Sequence, residues 1–195
     1  MSFETIVDDY IREHRSRARG ELAEFRQLRT LKDTIHHASL CHWLPSEKRH
    51  PHQYRIPAAA LLTAERKLQT ARDRLARAKT FEALHEEVQH QIRSIHKIGP
   101  LAVYDMTHRI GAYLGLTPAT VYLHRGTREG ARALGFTGRT LDPRLLTKAF
   151  SRLKPYEIED CLCIYKRALR GAKLVPRPGR ASVCVPLPPY PRPHC

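Results

Sequence analysis

No stretch of this chain approaches the ~20 consecutive apolar residues that a bilayer-spanning helix needs, so a membrane role is not expected. The opening Met1-Ser2-Phe3-Glu4 lacks the basic start and apolar run of a secretory leader. Cysteine is sparse and odd in number: Cys41, Cys161, Cys163, Cys184 and Cys195 follow no framework spacing. A disulfide scaffold is therefore not expected, and free thiols in a reducing, cytoplasmic setting are. Regular strand patterns and internal repeats are lacking too. Acids are the minority charge. Asp and Glu total 19 against 34 Lys and Arg, which gives a net charge of +15. The pI near 10.1 is the electrostatic footprint of a nucleic-acid binder, with DNA as the expected partner.

What remains is helical. The 195 residues, 42% hydrophobic, suit one domain with a real core. A first helix is predicted over 2–28, capped by Ser2, with Ile6, Tyr10, Leu22 and Phe25 inward and Gly20 as its weak point. A second covers 30–43 with Leu31, Ile35, Ala38 and Leu40 inward, stopping before Pro45. A basic loop follows, in which Pro51 and Pro57 forbid helix. A third helix, 58–79, carries an apolar seam of Leu61, Ala64, Leu68, Ala71, Leu75 and Ala78. Thr80 caps a fourth, with Phe81, Leu84, Val88, Ile92 and Ile95 at helical spacing. A fifth spans 101–114 and ends at Gly115, with Val103, Met106, Ile110 and Leu114 inward. Thr117-Pro118 predicts a short helix. Further helices are expected over 128–134, from Asp142-Pro143 to 153, and over 157–169.

After Gly171 the composition changes, and this tail holds seven of the 14 prolines. It is expected to be extended or disordered, and its Pro186–Pro193 run has the form of a ligand for a protein partner with an aromatic groove. The predicted fold is all-α: a single compact multi-helix domain with a Pro-rich disordered tail. Its parts are N-terminal helices and basic loop (1–79), a hairpin-bearing helical part (80–170) and the tail (171–195).

The most informative stretch is Ile95-His96-Lys97-Ile98-Gly99-Pro100-Leu101, a short turn between two helical patterns. Glycine at such a corner lets a phosphate approach with no side chain in the way. Pro100 fits the first helical position, whose N–H has no helical partner in any case. The next amides, Leu101 and Ala102, then face an anion with the helix dipole behind them, and Lys97 adds a charge. Such contacts grip phosphate without reading base sequence.

This stretch resembles the helix-hairpin-helix motif: an apolar residue, any residue, Gly, an apolar residue, Gly. Ile95, His96, Lys97, Ile98 and Gly99 follow it, with Lys97 in place of the first Gly. The run from Leu123 to Gly135 is similar to the corresponding region of base-excision DNA glycosylases of the helix-hairpin-helix superfamily, and the resemblance covers residues 81–135. Two departures bear on chemistry. Leu101 occupies the place of the nucleophilic Lys that bifunctional members carry, and His124 falls near the catalytic Asp. No four-Cys iron–sulfur pattern follows. The resemblance thus implies the fold and DNA contact rather than glycosylase chemistry of the known kind.

The expected function is non-enzymatic, largely sequence-independent DNA binding. Lys97, Ile98, Gly99, Leu101 and Ala102 would take one phosphate stretch, extended by Arg109, Arg125, Arg128 and Arg132. Lys48, Arg49 and Arg55 of the basic loop would add another, with Tyr54 for stacking. One alternative is a repair enzyme of glycosylase or lyase type, with Asp105, His108 and His124 as candidate catalytic groups. Against this, Asp105 and Arg109 also have the spacing of a helix-surface ion pair. A second alternative is an interaction module for an acidic protein. His36, His37, His42, His50 and His52, with Cys41, form a local cluster, but their spacing matches no four-ligand zinc site. No metal and no cofactor are assigned from sequence.

Overall fold

Short side chains at helix starts set several element boundaries. Ser2 Oγ accepts from Thr5 N at 3.1 Å, Thr30 Oγ1 from Asp33 N at 3.0 Å and Thr80 Oγ1 from Ala83 N at 3.1 Å. Each satisfies an amide that the helix itself leaves without a partner. The computed structural model describes residues 1–44, 46, 48–50 and 53–171. The Pro-rich tail beyond Gly171, and with it the expected groove ligand, lies outside the described residues.

The fold is all-α. Its helices are α1 (Phe3–Glu13), α2 (Arg15–Arg26), α3 (Leu31–Ser39), α4 (Ala58–Thr70), α5 (Arg72–Ala76), α6 (Phe81–Ile92), α7 (Pro100–Leu114), α8 (Arg125–Ala133), α9 (Pro155–Ile164) and α10 (Lys166–Leu169). Two antiparallel pairs of two-residue strands complete the described residues: β1 (His42–Trp43) with β2 (Lys48–Arg49), and β3 (Val121–Tyr122) with β4 (Thr140–Leu141). No described helix is long and apolar enough to cross a membrane.

The contacts define two compact units, Ile11–Ala119 and Met1–Tyr10 with the described residues from Thr120 onward. These borders differ from the division at Lys79–Thr80 read from the sequence. The reason is that α4 packs on α6, which joins the two sides of that line. In the larger unit α7 is the central helix and packs on α2, α3 and α6. Most of the expected seam is buried, Leu61, Ala64 and Leu68 on α4, then Ala71 and Leu75, whereas Ala78 at its end is half-buried. In the smaller unit Ile6, Val7 and Tyr10 of α1 are buried, and Tyr10 Oη donates to Asp160 Oδ2 at 3.1 Å. Here α8 lies against α9 so closely that a Cβ on Gly130 would strike the backbone of Leu162, and one on Gly126 would strike Cys163 Sγ.

Several expected helices differ. The first divides at His14 rather than at Gly20, which lies inside α2. The second ends at Ser39, because Cys41 adopts φ 59° and turns the chain into β1. The third divides at Ala71. Thr117-Pro118 starts no helix. The stretch after Asp142 forms two 3-10 turns, Pro143–Leu145 and Lys148–Arg152, because Leu146 and Thr147 between them are extended.

Candidate nucleic-acid interface

The hairpin is built from its two helices inward. After α6 the chain descends through short turns, with Ile95 N on Ile92 O and Ile98 N on Ile95 O, both at 3.1 Å. Ile98 is buried and anchors the turn, while Arg93, Ser94, His96 and Lys97 are exposed. Lys97 has φ 72°. This is the left-handed region that glycine favours, and it falls where the helix-hairpin-helix pattern has its first Gly. Gly99 is the N-cap of α7 in extended conformation, with φ −94° and ψ 172°, and no side chain caps the helix. A Cβ at Gly99 would meet nothing within 4 Å, so the space in front of the helix start is open. Pro100 holds the first helical position, and Leu101 is exposed. The amides of Leu101 and Ala102 thus start a helix of 15 residues beside exposed Lys97 and Arg93.

The other expected contact residues divide. Lys48 and Arg55 are exposed. Arg55 Nε donates to Tyr54 Oη at 3.0 Å, its guanidinium sits 5.5 Å from the Tyr54 ring centroid, and Tyr54 is 61% exposed. A cation and an aromatic face so placed suit a base and its phosphate. Arg49, half-buried, donates from Nη1 to Ile56 O at 3.1 Å and braces the loop. In the smaller unit Arg125 and Arg132 are exposed on α8, whereas Arg128 Nη2 donates to Leu123 O at 3.1 Å and serves the fold. His52 lies outside the described residues.

Arg109 requires a correction. It was expected on the DNA-facing surface, but its position on α7, enclosed by α2, α3 and α6, leaves it 3% exposed. It belongs to a polar network inside the larger unit. Arg109 Nε donates to Glu21 Oε1 at 3.0 Å, and Nη1 donates to Gln53 Oε1 at 3.2 Å. Gln53 Nε2 donates in turn to Asp105 Oδ2 at 2.6 Å, so the amide stands between the two residues expected to pair on the surface. His50 Nε2 lies 3.3 Å from Glu21 Oε1, and its ring stacks on Trp43, over which Arg17 is placed at 4.5 Å. Sequence reading missed this network. Its one signal is Gln53, a polar residue between Pro51 and Pro57 that has to find partners if buried.

Of the candidate catalytic groups, Asp105 and His108 belong to the larger unit and His124 to the smaller. Asp105 is occupied by Gln53. His108 packs between Tyr104 and Phe81, with centroid distances of 5.5 and 6.1 Å, and burial pushes its imidazole down to about 4. His124 is a buried N-cap of α8 in the other unit. The His108 shift has a measurable sign. The unfolded chain, with an ordinary value of 6.5, binds its proton first as pH falls. Stability should therefore decline between pH 6.5 and 4, by up to about 1.4 kcal/mol per pH unit. Urea midpoints at pH 7 and pH 5 should differ less in His108→Gln than in wild type, and equal pH dependence would contradict the assignment.

The three thiols among the described residues, Cys41, Cys161 and Cys163, are free. Cys161 is buried and pushed up to about 12, and Cys163 on the next face is half-buried and also raised, mainly by desolvation. Cys41 donates from Sγ to Ser39 O at 3.6 Å and is pushed up to about 11 by burial. Against known protein families, curated proteins and solved structures, the chain finds no match.

Proposed function

We propose that this protein binds DNA without turnover and largely without regard to sequence, through the hairpin at Lys97–Ala102 and the exposed cations around it. The observation that supports this most is the open Gly99 corner. Amides at the start of α7 have no side-chain cap, nothing occupies the space a Cβ would fill, and Lys97 and Arg93 are exposed beside them. A net charge of +15 adds long-range attraction for a polyanion. The loop cations Lys48 and Arg55, with Tyr54, offer a second contact. Arg125 and Arg132 belong to this reading as exposed cations of the smaller unit.

The test is a salt-titrated binding series on duplex, single-stranded and nicked DNA. Each neutralised phosphate contributes a slope of about −0.9 in log K against log salt on duplex. Gly99→Asp is the informative variant because it separates folding from binding. An Asp at the N-cap accepts from the same amides a phosphate would use, so the fold is kept or slightly stabilised. The added negative charge should weaken duplex binding roughly tenfold or more. Equal affinity of wild type and Gly99→Asp for duplex would remove the hairpin from the reading. Equal binding to heparin and duplex, unaffected by that change, would favour the acidic-protein module. Cleavage of an abasic duplex, lost in His124→Ala, would favour the enzyme.

A further inference from the structure

Away from the hairpin, three imidazoles converge at the end of α3. His36 and His37 are consecutive in its last turn, and His42 opens β1. The left-handed turn at Cys41 brings His42 back against the helix end, and the β1–β2 ladder holds it there, opposite Arg49. One ligand nitrogen from each of the three rings lies within 4.8 Å of the others, and all three residues are half-buried. The ring centroids are 5.1 to 5.8 Å apart.

Two distances point to a metal ion. The Nδ1 atoms of His37 and His42 are 3.2 Å apart. With Zn–N bonds of about 2.05 Å, two ligand nitrogens of one tetrahedral zinc stand about 3.3 Å apart, so this pair already spans one edge of such a site. The second distance is the 2.6 Å between His36 Nδ1 and Glu65 Oε1, from α4. A ligating imidazole characteristically gives its other ring N–H to a carboxylate, which fixes the tautomer and the ring orientation. Glu65 is mostly enclosed, with its side chain 18% exposed, so this contact is held rather than solvated away. Glu65 also supplies a negative charge beside the cation, in a chain where acids are scarce.

We propose that His36, His37 and His42 bind one divalent zinc-class ion, with Glu65 as the positioning carboxylate. Three nitrogens leave the fourth tetrahedral place to water or an incoming ligand. Cys41 is set apart by its geometry, since its thiol is directed to Ser39 O. Imidazole ligation selects zinc, copper and nickel over magnesium and calcium. The ion would pin the end of α3 to β1, the segment that leads into the basic loop. This inference does not depend on DNA binding, and its test contains no DNA.

The experiment uses the full chain, stripped with a chelator and titrated with zinc chloride by calorimetry. Cobalt chloride serves as a second probe, because four-coordinate cobalt absorbs intensely in the visible and six-coordinate cobalt does not. One equivalent should bind, and the cobalt form should show the four-coordinate spectrum. His37→Ala and His42→Ala should each lose affinity by about 100-fold or more, and Glu65→Gln by about 10- to 100-fold. His96→Ala, an exposed histidine of the hairpin, should bind as wild type does. His42→Gln keeps a polar group of similar size in β1 and serves if the alanine variants fold poorly, as judged by circular dichroism. Wild type binding zinc no more tightly than His42→Gln, or losing as much on His96→Ala as on His37→Ala, would overturn the proposal. So would a six-coordinate cobalt spectrum.

Discussion

Arg109→Met is expected to lower the stability of the larger unit by about 3 kcal/mol, read as a shift in the urea midpoint. Breaking a buried ion pair by removing one partner costs about 3–5 kcal/mol, because the other charge is left buried without compensation. The low end applies because Glu21 keeps its side chain 30% exposed and recovers some hydration. Methionine fills most of the volume, so the loss reports the polar network rather than a cavity. Two contacts disappear together, Nε on Glu21 and Nη1 on Gln53. The Gln53 side chain then keeps its bond to Asp105, so the segment it anchors holds to α7 by one side-chain hydrogen bond instead of two. Arg109→Lys should recover part of the loss but not all, since a single ammonium cannot reproduce the two-point fork. In folded Arg109→Lys the salt slope of DNA binding should equal that of wild type, because the residue is enclosed. A reduced slope would return Arg109 to the interface, and an unchanged urea midpoint in Arg109→Met would dissolve the network.

Gly130→Ala is expected to destabilise the smaller unit by about 2 kcal/mol or more, although alanine is the better helix former. On an exposed helix the change would gain about 1 kcal/mol. Here the new methyl meets the carbonyl oxygen, carbonyl carbon and Cα of Leu162, all backbone, so α8 and α9 must separate. Overpacking of this kind typically costs about 1–3 kcal/mol and sometimes more. Gly126→Ala, one turn earlier, has Cys163 Sγ and Cβ and the end of Lys166 as its nearest neighbours, and the Sγ it would strike can rotate away. Thermal or urea unfolding should therefore rank wild type and Gly126→Ala above Gly130→Ala. A more stable Gly130→Ala would mean that the two helices are not in backbone contact.

Local signals in the sequence carried much of the fold. Ser2 and Thr80 cap because short oxygens satisfy amides two or three residues on, which needs no distant partner. The run from Pro100 to Gly115 bounds α7 for the same reason, with Gly115 left-handed at φ 73°. The Leu61–Leu75 seam follows from helical period alone. What was illegible depends on chain segments meeting. The Asp105–Arg109 spacing reads as a surface pair until Gln53 arrives from outside the helix and Glu21 from α2. His36, His37 and His42 show no metal-site spacing, because their convergence comes from a backbone reversal at Cys41, a residue type that gives no warning of positive φ. At the hairpin the corner is legible from Gly99 and Pro100, but its openness is not, because that rests on where the neighbouring side chains end.

Residues Met1 to Tyr10 belong to one unit with those from Thr120 onward. Tyr10 reaches Asp160 across 150 positions of sequence, and Tyr165 Oη donates to Asp9 Oδ2 across 156. As the chain leaves the ribosome, the stretch from Ile11 to Ala119 has every partner of its own unit within reach while the amino-terminal helix still waits for its own. Closing so long an excursion carries an entropic toll that grows only logarithmically with length, but it delays the event. The apolar stripe of Ile6, Val7 and Tyr10 is thus bare until the residues from Thr120 onward that cover it are made, a window in which chaperones or other nascent chains can reach it.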